Sequence, residues 1–209
     1  MRIYAVADIH GSQYRLNIIL EKISDLKPDL VVVCGDITQF GPADVAKYFL
    51  DQIPTDTIAV HGNIDPDNIG EGIFDSKAEY IHLKEVTIHG VRFIGIGGGL
   101  GVLDSNILID AAGKEKPLGE LLNSSSVLVT HVPPYNTMDR VFIGQHAGNK
   151  DLRELIDEFH PRLVICGHIH ENPGVMKVGN TTVVNCSIGK KSAGASIDLN
   201  TSIKVKILM

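Results

Sequence analysis

Five short apolar runs in this chain each stop at a polar residue, and that repetition limits what the chain can fold into. IYAVA (3–7) runs into Asp8-Ile9-His10, and LVVVC (30–34) runs into Gly35-Asp36. TIAV (57–60) runs through His61-Gly62 into Asn63, VLVT (127–130) into His131, and LVIC (163–166) into Gly167-His168-Ile169-His170. Unbroken apolar runs of four or five residues describe strands buried on both faces, as in parallel sheets covered by helices. Between the first two runs, Tyr14 to Leu26 puts Leu16, Ile19, Leu20 and Ile23 on one helical face, and Pro28 punctuates its end. Pro42 to Leu50 predicts a second helix, with proline at the permitted first-turn position. The strand–helix–strand–helix–strand order predicts parallel strands joined by right-handed crossovers.

The middle of the chain changes character. Val86–His89 and Val91–Ile96 flank Gly90 and read as an antiparallel pair. Pro117–Leu122 and Asp151–Phe159 read as helices. VMKV, TTVVN, ASIDL and SIKVKIL then make a strand-rich tail, with turns at Gly179–Asn180 and Asn200–Thr201. SIKVKIL alternates apolar and polar residues, as a half-exposed strand does. Without a repeat, linker or low-complexity block, the 209 residues predict one α/β domain over 1–209, with two packed sheets and helices outside.

Composition excludes several classes. Tryptophan is absent and aromatics are 5%, which argues against a stacking platform for single strands. A net charge of −6 argues against a broad basic surface for nucleic acid. No run approaches the ~20 apolar residues of a membrane span. The apolar start meets Asp8 too early for a signal peptide. Cys34, Cys166 and Cys186 are odd in number and form no CxxC, so they read as small buried hydrophobes in a reducing, cytoplasmic setting.

In open α/β sheets the carboxyl ends of strands border the binding crevice, so the five polar ends are expected to converge. Singly, each has an ordinary reading as a turn former or satisfied histidine. Together, Asp8, His10, Asp36, Asn63, His131, His168 and His170 form an oxygen and nitrogen donor set without thiolate. Such a set suits Mn, Fe, Zn or Ni, and seven donors are too many for one tetrahedral zinc.

In that order, D-x-H, G-D, G-N-x-D, an isolated H and G-H-x-H resemble the calcineurin-like metallophosphoesterase superfamily from Asp8 to His170. Within it, THVPPYNTMDR, Gly-Gln-His-Ala-Gly and GHIHENPG resemble the small Icc-related phosphoesterases. The resemblance implies a four-layer αββα sandwich of two mixed sheets packed face to face. It implies two divalent metal ions, manganese favoured: Asp8, His10 and His170 on one, Asn63, His131 and His168 on the other, and Asp36 bridging. It implies in-line attack on phosphorus by a metal-bridging hydroxide. Two such ions, two carboxylates and one hydroxide leave a single positive charge, which suits a phosphodiester better than a dianionic monoester. The expected substrate is a small or exposed phosphoester, with no membrane partner. A non-catalytic scaffold on the same fold, or a nuclease, is the alternative.

One position departs from the resemblance. The third motif usually carries histidine after asparagine, near the leaving group; here Ile64 stands between Asn63 and Asp65. General acid catalysis contributes ~10²–10⁴ in rate, so its loss favours acidic leaving groups. Two residues are candidates to replace it: His146 in the Gly-Gln-His-Ala-Gly loop, which otherwise reads as a surface or structural residue, and Asp65 beside the asparagine, which otherwise reads as a turn former or a support for the ligands. GGGLG (97–101) reads as a close backbone approach or a phosphate cradle, and Arg140 as a solvent-facing charge or a phosphate contact. His61, His82, His89 and His160 read as surface or packing residues, and Lys190-Lys191 as too short a basic run to signify.

Overall fold

Side chains along the central strands leave alternately into two different cores, and this explains the absence of polar alternation in their sequences. The computed structural model describes residues 1–99, 107–142 and 144–209. Its strands are β1 (Arg2–Val6), β2 (Leu30–Cys34), β3 (Thr57–Val60), β4 (Glu79–Tyr80), β5 (Lys84–Ile88), β6 (Val91–Ile96), β7 (Ile107–Ile109) and β8 (Glu115–Pro117). They continue with β9 (Val127–Thr130), β10 (Leu163–Cys166), β11 (Gly174–Val178), β12 (Thr181–Asn185), β13 (Ile188–Gly189), β14 (Ser192–Ala193), β15 (Ala195–Leu199) and β16 (Ile203–Ile207). The helices are α1 (Gln13–Leu26), α2 (Ala43–Leu50), α3 (Ile69–Phe74), α4 (Leu118–Leu121) and α5 (Lys150–Phe159).

One sheet runs in the order β16-β15-β1-β2-β3-β4, the other β11-β12-β10-β9-β6-β5-β7-β8, and β13 pairs with β14 in a small hairpin. In the first, β1, β2, β3 and β4 are parallel while β15 and β16 are antiparallel. In the second, β6, β9, β10 and β12 are parallel, β5 is antiparallel to β6 but parallel to β7, and β11 is antiparallel to β12. Ile3, Ala5, Leu30, Val32, Cys34 and Ile58 pack between the sheets against Phe93, Val127, Val129, Leu163 and Ile165. The alternate residues Tyr4, Val6, Val31, Val33 and Ala59 face outward under α1, α2 and α3. On the far side, Ile94, Leu128, Val164 and Cys166 lie under α4 and α5. The layers are therefore helix, sheet, sheet, helix: a four-layer αββα sandwich with two mixed sheets, as the resemblance implied. Cys34, Cys166 and Cys186 are free and buried in these cores. Among the described residues, no helix is long and apolar enough to cross a membrane.

Local signals set the helix ends. The Ser12 hydroxyl accepts from the Arg15 N–H at 3.4 Å to open α1, and Lys27, left-handed at φ 47°, closes it. Pro42 lies at the N-cap of α2 instead of inside its first turn. The sequence does not predict α3, because IGEGIF holds two poor helix formers. The segment is helical because Ile69 and Ile73 are buried against α2, so packing overrides propensity. Strands β4, β7, β8, β13 and β14 are likewise unpredicted; at two or three residues each they are too short to show a period.

Phe93 is fully buried between the sheets. Phe93→Ala is expected to lower unfolding free energy by about 3–5 kcal/mol. Urea unfolding with an unchanged slope and a lower midpoint is the check.

Candidate metal centre

The parallel strands β1, β2, β3, β9 and β10 release their chains at one edge of the sandwich. Several of the first polar residues leave in a left-handed turn: φ is 64° at Asp8, 52° at His10, 50° at Asp36 and 69° at His168. This conformation is uncommon outside glycine, and the bonds around it hold it in place. Asp8 N–H donates to the Gly35 carbonyl at 3.0 Å, and His10 N–H to the Asp36 carbonyl at 2.8 Å. The loops after β1 and β2 are thereby zipped together past their strands.

Glycine lets the other loops close in. A Cβ on Gly35, itself at φ 84°, would sit 2.6 Å from Gly62 N and 2.7 Å from His131 Nδ1. A Cβ on Gly62 would collide with the Asp36 carboxylate and backbone. No larger residue fits either place without moving the loop.

Three donor-type side chains gather first: Asp8, His10 and His170, with one nitrogen or oxygen from each lying within 4.8 Å of the others. His170 Nε2 stands 3.2 Å from Asp8 Oδ1 and 3.2 Å from His10 Nε2. Asp8 is fully buried. Its Oδ2 accepts the His168 N–H at 3.1 Å, but Oδ1 meets no donor in hydrogen-bonding geometry. A buried carboxylate oxygen that faces a poorly aligned imidazole nitrogen is under-satisfied, so this atom calls for positive charge, on His170 or on a metal.

The second group is Asp36, His131 and His168, again within 4.8 Å, with Asn63 at its side. His131 Nδ1 lies 2.7 Å from the Cys34 carbonyl, which can only accept, so that nitrogen carries the proton. The lone pair of neutral His131 is therefore on Nε2. That atom faces Asn63 Oδ1 at 2.9 Å and Asp36 Oδ2 at 3.4 Å. Three electron-rich atoms converge where only positive charge relieves them. The backbone carbonyl behind His131 is the kind of support that orients histidine toward a metal. Asp36 Oδ2 is also 4.0 Å from His10 Nε2, so one carboxylate oxygen reaches toward both groups. The Ile64 N–H holds the other oxygen at 3.1 Å.

The protonation behaviour has the same cause. Burial opposes ionisation of Asp8 and Asp36, but His170 and His131 outweigh it, leaving both carboxyls below their ordinary range. Burial also opposes charge on His131, and Asp36 and Asp8 reverse that, so its pKa is raised. Contact with Asp8 raises His170. Burial lowers His10 and His168. The residues fit a pair of cations: two buried carboxylates, four imidazoles and a neutral amide oxygen, without thiolate.

The structure thus brings all seven predicted donors together. It places the two acid candidates differently. Asp65 Oδ1 accepts from Thr38 N and Oγ1 at 2.8 and 3.0 Å, and Oδ2 from Gly62 N and Ile37 N at 2.8 and 3.2 Å. Both oxygens are committed to tying the loop after β2 to the loop after β3, which is the supporting turn role and not that of a free proton donor. His146 Nδ1 is held at 2.7 Å by Asp139, whose other oxygen accepts the Asn136 and Gly148 N–H groups. Among the described residues, the contacts of His146 include none of the seven donors.

Of the remaining predictions, Leu100 and Gly101 of the glycine run lie outside the described residues. Gly97 N–H donates to His82 Nδ1 at 2.9 Å and Gly98 N–H to the His61 carbonyl at 2.8 Å. Those two N–H groups are used within the fold, and a Cβ on Gly97 would sit 2.6 Å from His61 Nδ1, so this part of the run is a close backbone approach. His61 and His82 pack with Tyr80, whose hydroxyl is 2.7 Å from His61 Nδ1; burial takes His82 down to about 4 and Tyr80 up to about 12. Arg140 is exposed.

Three supporting residues escape the sequence reading. Arg15 donates from its guanidinium to the Asp8 carbonyl. Asn185 Nδ2 holds the Ile169 and Asn172 carbonyls at 2.9 and 3.1 Å. Ser187, bridged to Ala7, is buried beside Asp8. Asn185 had a readable signal: TTVVN is one more apolar run ending in a polar residue.

The sequence profile of the Calcineurin-like phosphoesterase family matches residues 1–172. The chain belongs to that family. This phosphoesterase is 33% identical over 203 residues to an uncharacterized protein of Methanocaldococcus jannaschii, covering 90% of this chain and 88% of the other. Its fold is similar to that of a dimetal phosphatase from Danio rerio, with TM-score 0.64 and 13% identity over 99% and 95% of the two chains. It is also similar to the anchor protein GAP50 of the Plasmodium inner membrane complex, with TM-score 0.69 and 15% identity over 99% and 84%. One fold accommodates a phosphatase and an anchor, so the side chains at the strand ends must decide what this phosphoesterase does.

Asp65→Ala leaves four donors without their acceptor. The expected loss is about 1–3 kcal/mol of stability, measured by thermal unfolding of the metal-free protein.

Proposed function

We propose that this phosphoesterase is a metal-dependent phosphodiesterase acting on small or exposed diesters. The carrying observation is the convergence of His131 Nε2, Asn63 Oδ1 and Asp36 Oδ2 while His131 Nδ1 is committed to a carbonyl. A scaffold has no need to keep such an arrangement, which is costly without a cation. Asp8, His10 and His170 would hold one divalent ion, Asn63, His131 and His168 the other, and Asp36 would serve both. When bound, the pair supplies Lewis-acid activation of water and neutralises charge at the phosphoryl group. Manganese suits this donor set, as iron, zinc and nickel do. Asn63 is exposed at the rim and contributes an oxygen without adding negative charge, which favours a monoanionic diester.

The chain's own residues do the positioning. Ile64 N–H fixes Asp36, the Cys34 carbonyl fixes His131, and the His168 N–H fixes Asp8. The Ile64 side chain has no proton to give to a leaving group. His146, held by Asp139, is the group proposed to supply one.

Hydrolysis of bis(p-nitrophenyl) phosphate with added manganese tests the reading. Asp36→Asn is expected to abolish turnover and to weaken binding of both ions, measured by metal content after dialysis. Near-normal turnover with unchanged metal content would defeat it.

Leaving-group dependence tests the proton supply. Aryl diesters are expected to be cleaved faster than alkyl diesters, with a steep slope of log rate against leaving-group pKa. Ile64→His is expected to flatten that slope by speeding alkyl esters up to ~10²-fold. His146→Gln is expected to steepen it; an unchanged slope assigns the Asp139–His146 pair to loop structure alone.

A further inference from the structure

Beside the seven donors lies a groove that the phosphodiesterase reading leaves unassigned. It runs between α1 and the β13–β14 hairpin as two adjoining cavities of about 340 and 320 Å³ that share Tyr14, Ile18, Gly189 and Lys190. Each is within the size range of small-molecule sites. Its inner end is Arg15, whose guanidinium bonds the Asp8 carbonyl and whose charge acts on His10 and His170. The hairpin is anchored at the same place. Ile188 N–H donates to the Ala7 carbonyl at 3.1 Å, and Lys191 Nζ lies 3.5 Å from the carbonyl of Glu171, the residue after His170. The groove therefore lies next to the backbone that carries Asp8 and His170.

Its chemistry is unlike the rest of this acidic protein. Arg15, Lys22, Lys190 and Lys191 line it; Glu21 is its one acidic lining residue and stands 3.9 Å from Lys22. The Glu171 side chain is exposed beside the inner end. Lys190 and Lys191 are exposed. Tyr14 is 75% exposed, and among the described residues its hydroxyl has no partner. An uncovered tyrosine ring next to Ile18 offers a flat apolar face, and the ammonium groups offer charge to an anion.

We propose that this groove is a subsite for the part of the substrate beyond the reacting phosphorus, and that it takes a nucleoside bearing a second phosphate. The inference rests on the phosphodiesterase reading and names its substrate class. The reacting phosphoryl group lies at the seven donors. The base lies on Tyr14, and the second phosphate lies between Lys190 and Lys191. The short cationic stretch matches one extra phosphate and is too small for a long polyanion.

The test is calorimetric titration of the manganese-loaded protein with adenosine 3′,5′-bisphosphate and, separately, with inorganic phosphate. The bisphosphate is expected to bind at least tenfold more tightly than phosphate, and added salt is expected to narrow that gap. K190A/K191A is expected to weaken bisphosphate binding about tenfold. Tyr14→Ala is expected to weaken it about fivefold or more. Neither variant should alter phosphate affinity or the thermal midpoint, which separates loss of the groove from loss of the fold. Wild-type hydrolysis of bis(p-nitrophenyl) phosphate is measured alongside. If hydrolysis is present but the bisphosphate binds no tighter than phosphate, or both variants bind it like wild type, the subsite is overturned. If hydrolysis is absent, the phosphodiesterase reading itself has failed.

Discussion

Burial on both faces of the central strands is the constraint on which the rest depends. Ile3, Ala5, Leu30 and Val32 fill the space between the sheets, while Tyr4, Val6, Val31 and Val33 lie under helices. After the exposed Arg2 that opens β1, no position along β1 or β2 faces water on either side. A polar side chain can enter only where a strand ends, and parallel strands end together. The catalytic chemistry of such a sandwich is thereby confined to one edge, where β1, β2 and β3 of one sheet meet β9 and β10 of the other.

That edge is assembled by close backbone contact more than by side-chain packing. Gly35 and Gly62 allow loops from neighbouring strands to touch, and the Asp65 carboxylate ties them through their N–H groups. The cost is a cluster, buried at Asp36 and His131 and open at Asn63, in which acceptors face acceptors. In low dielectric such a cluster is stable only with positive charge in it, whether protons on imidazole or metal ions. The raised pKa of His131 and the demand for cations are two expressions of one electrostatic fact.

The sequence made the central strands legible because a doubly buried strand has no polar interruption, and α1 legible because Leu16, Ile19 and Ile23 recur at helical spacing. It made the seven donors legible because each follows such a strand or lies in its exit loop. It hid α3, whose glycines argue against a helix that burial of Ile69 and Ile73 imposes. It hid Arg15 and Ser187, which support Asp8 from segments that carry no motif. It left two roles open at Asp65, and only the four N–H and O–H groups gathered on that carboxylate decide for loop support.

What the sequence determined by itself is which residues can bind a cation and on which strand ends they lie, because residue type and apolar patterning are local properties. What only the tertiary structure decided is which atoms face which. His131 is turned by a carbonyl 97 residues away in the chain, and Asp36 reaches both groups from the neighbouring strand. Tyr14 and Lys190 come to line one groove because α1 and the β13–β14 hairpin pack side by side. Distances between side chains are set by how the layers pack, and packing is a property of the whole chain.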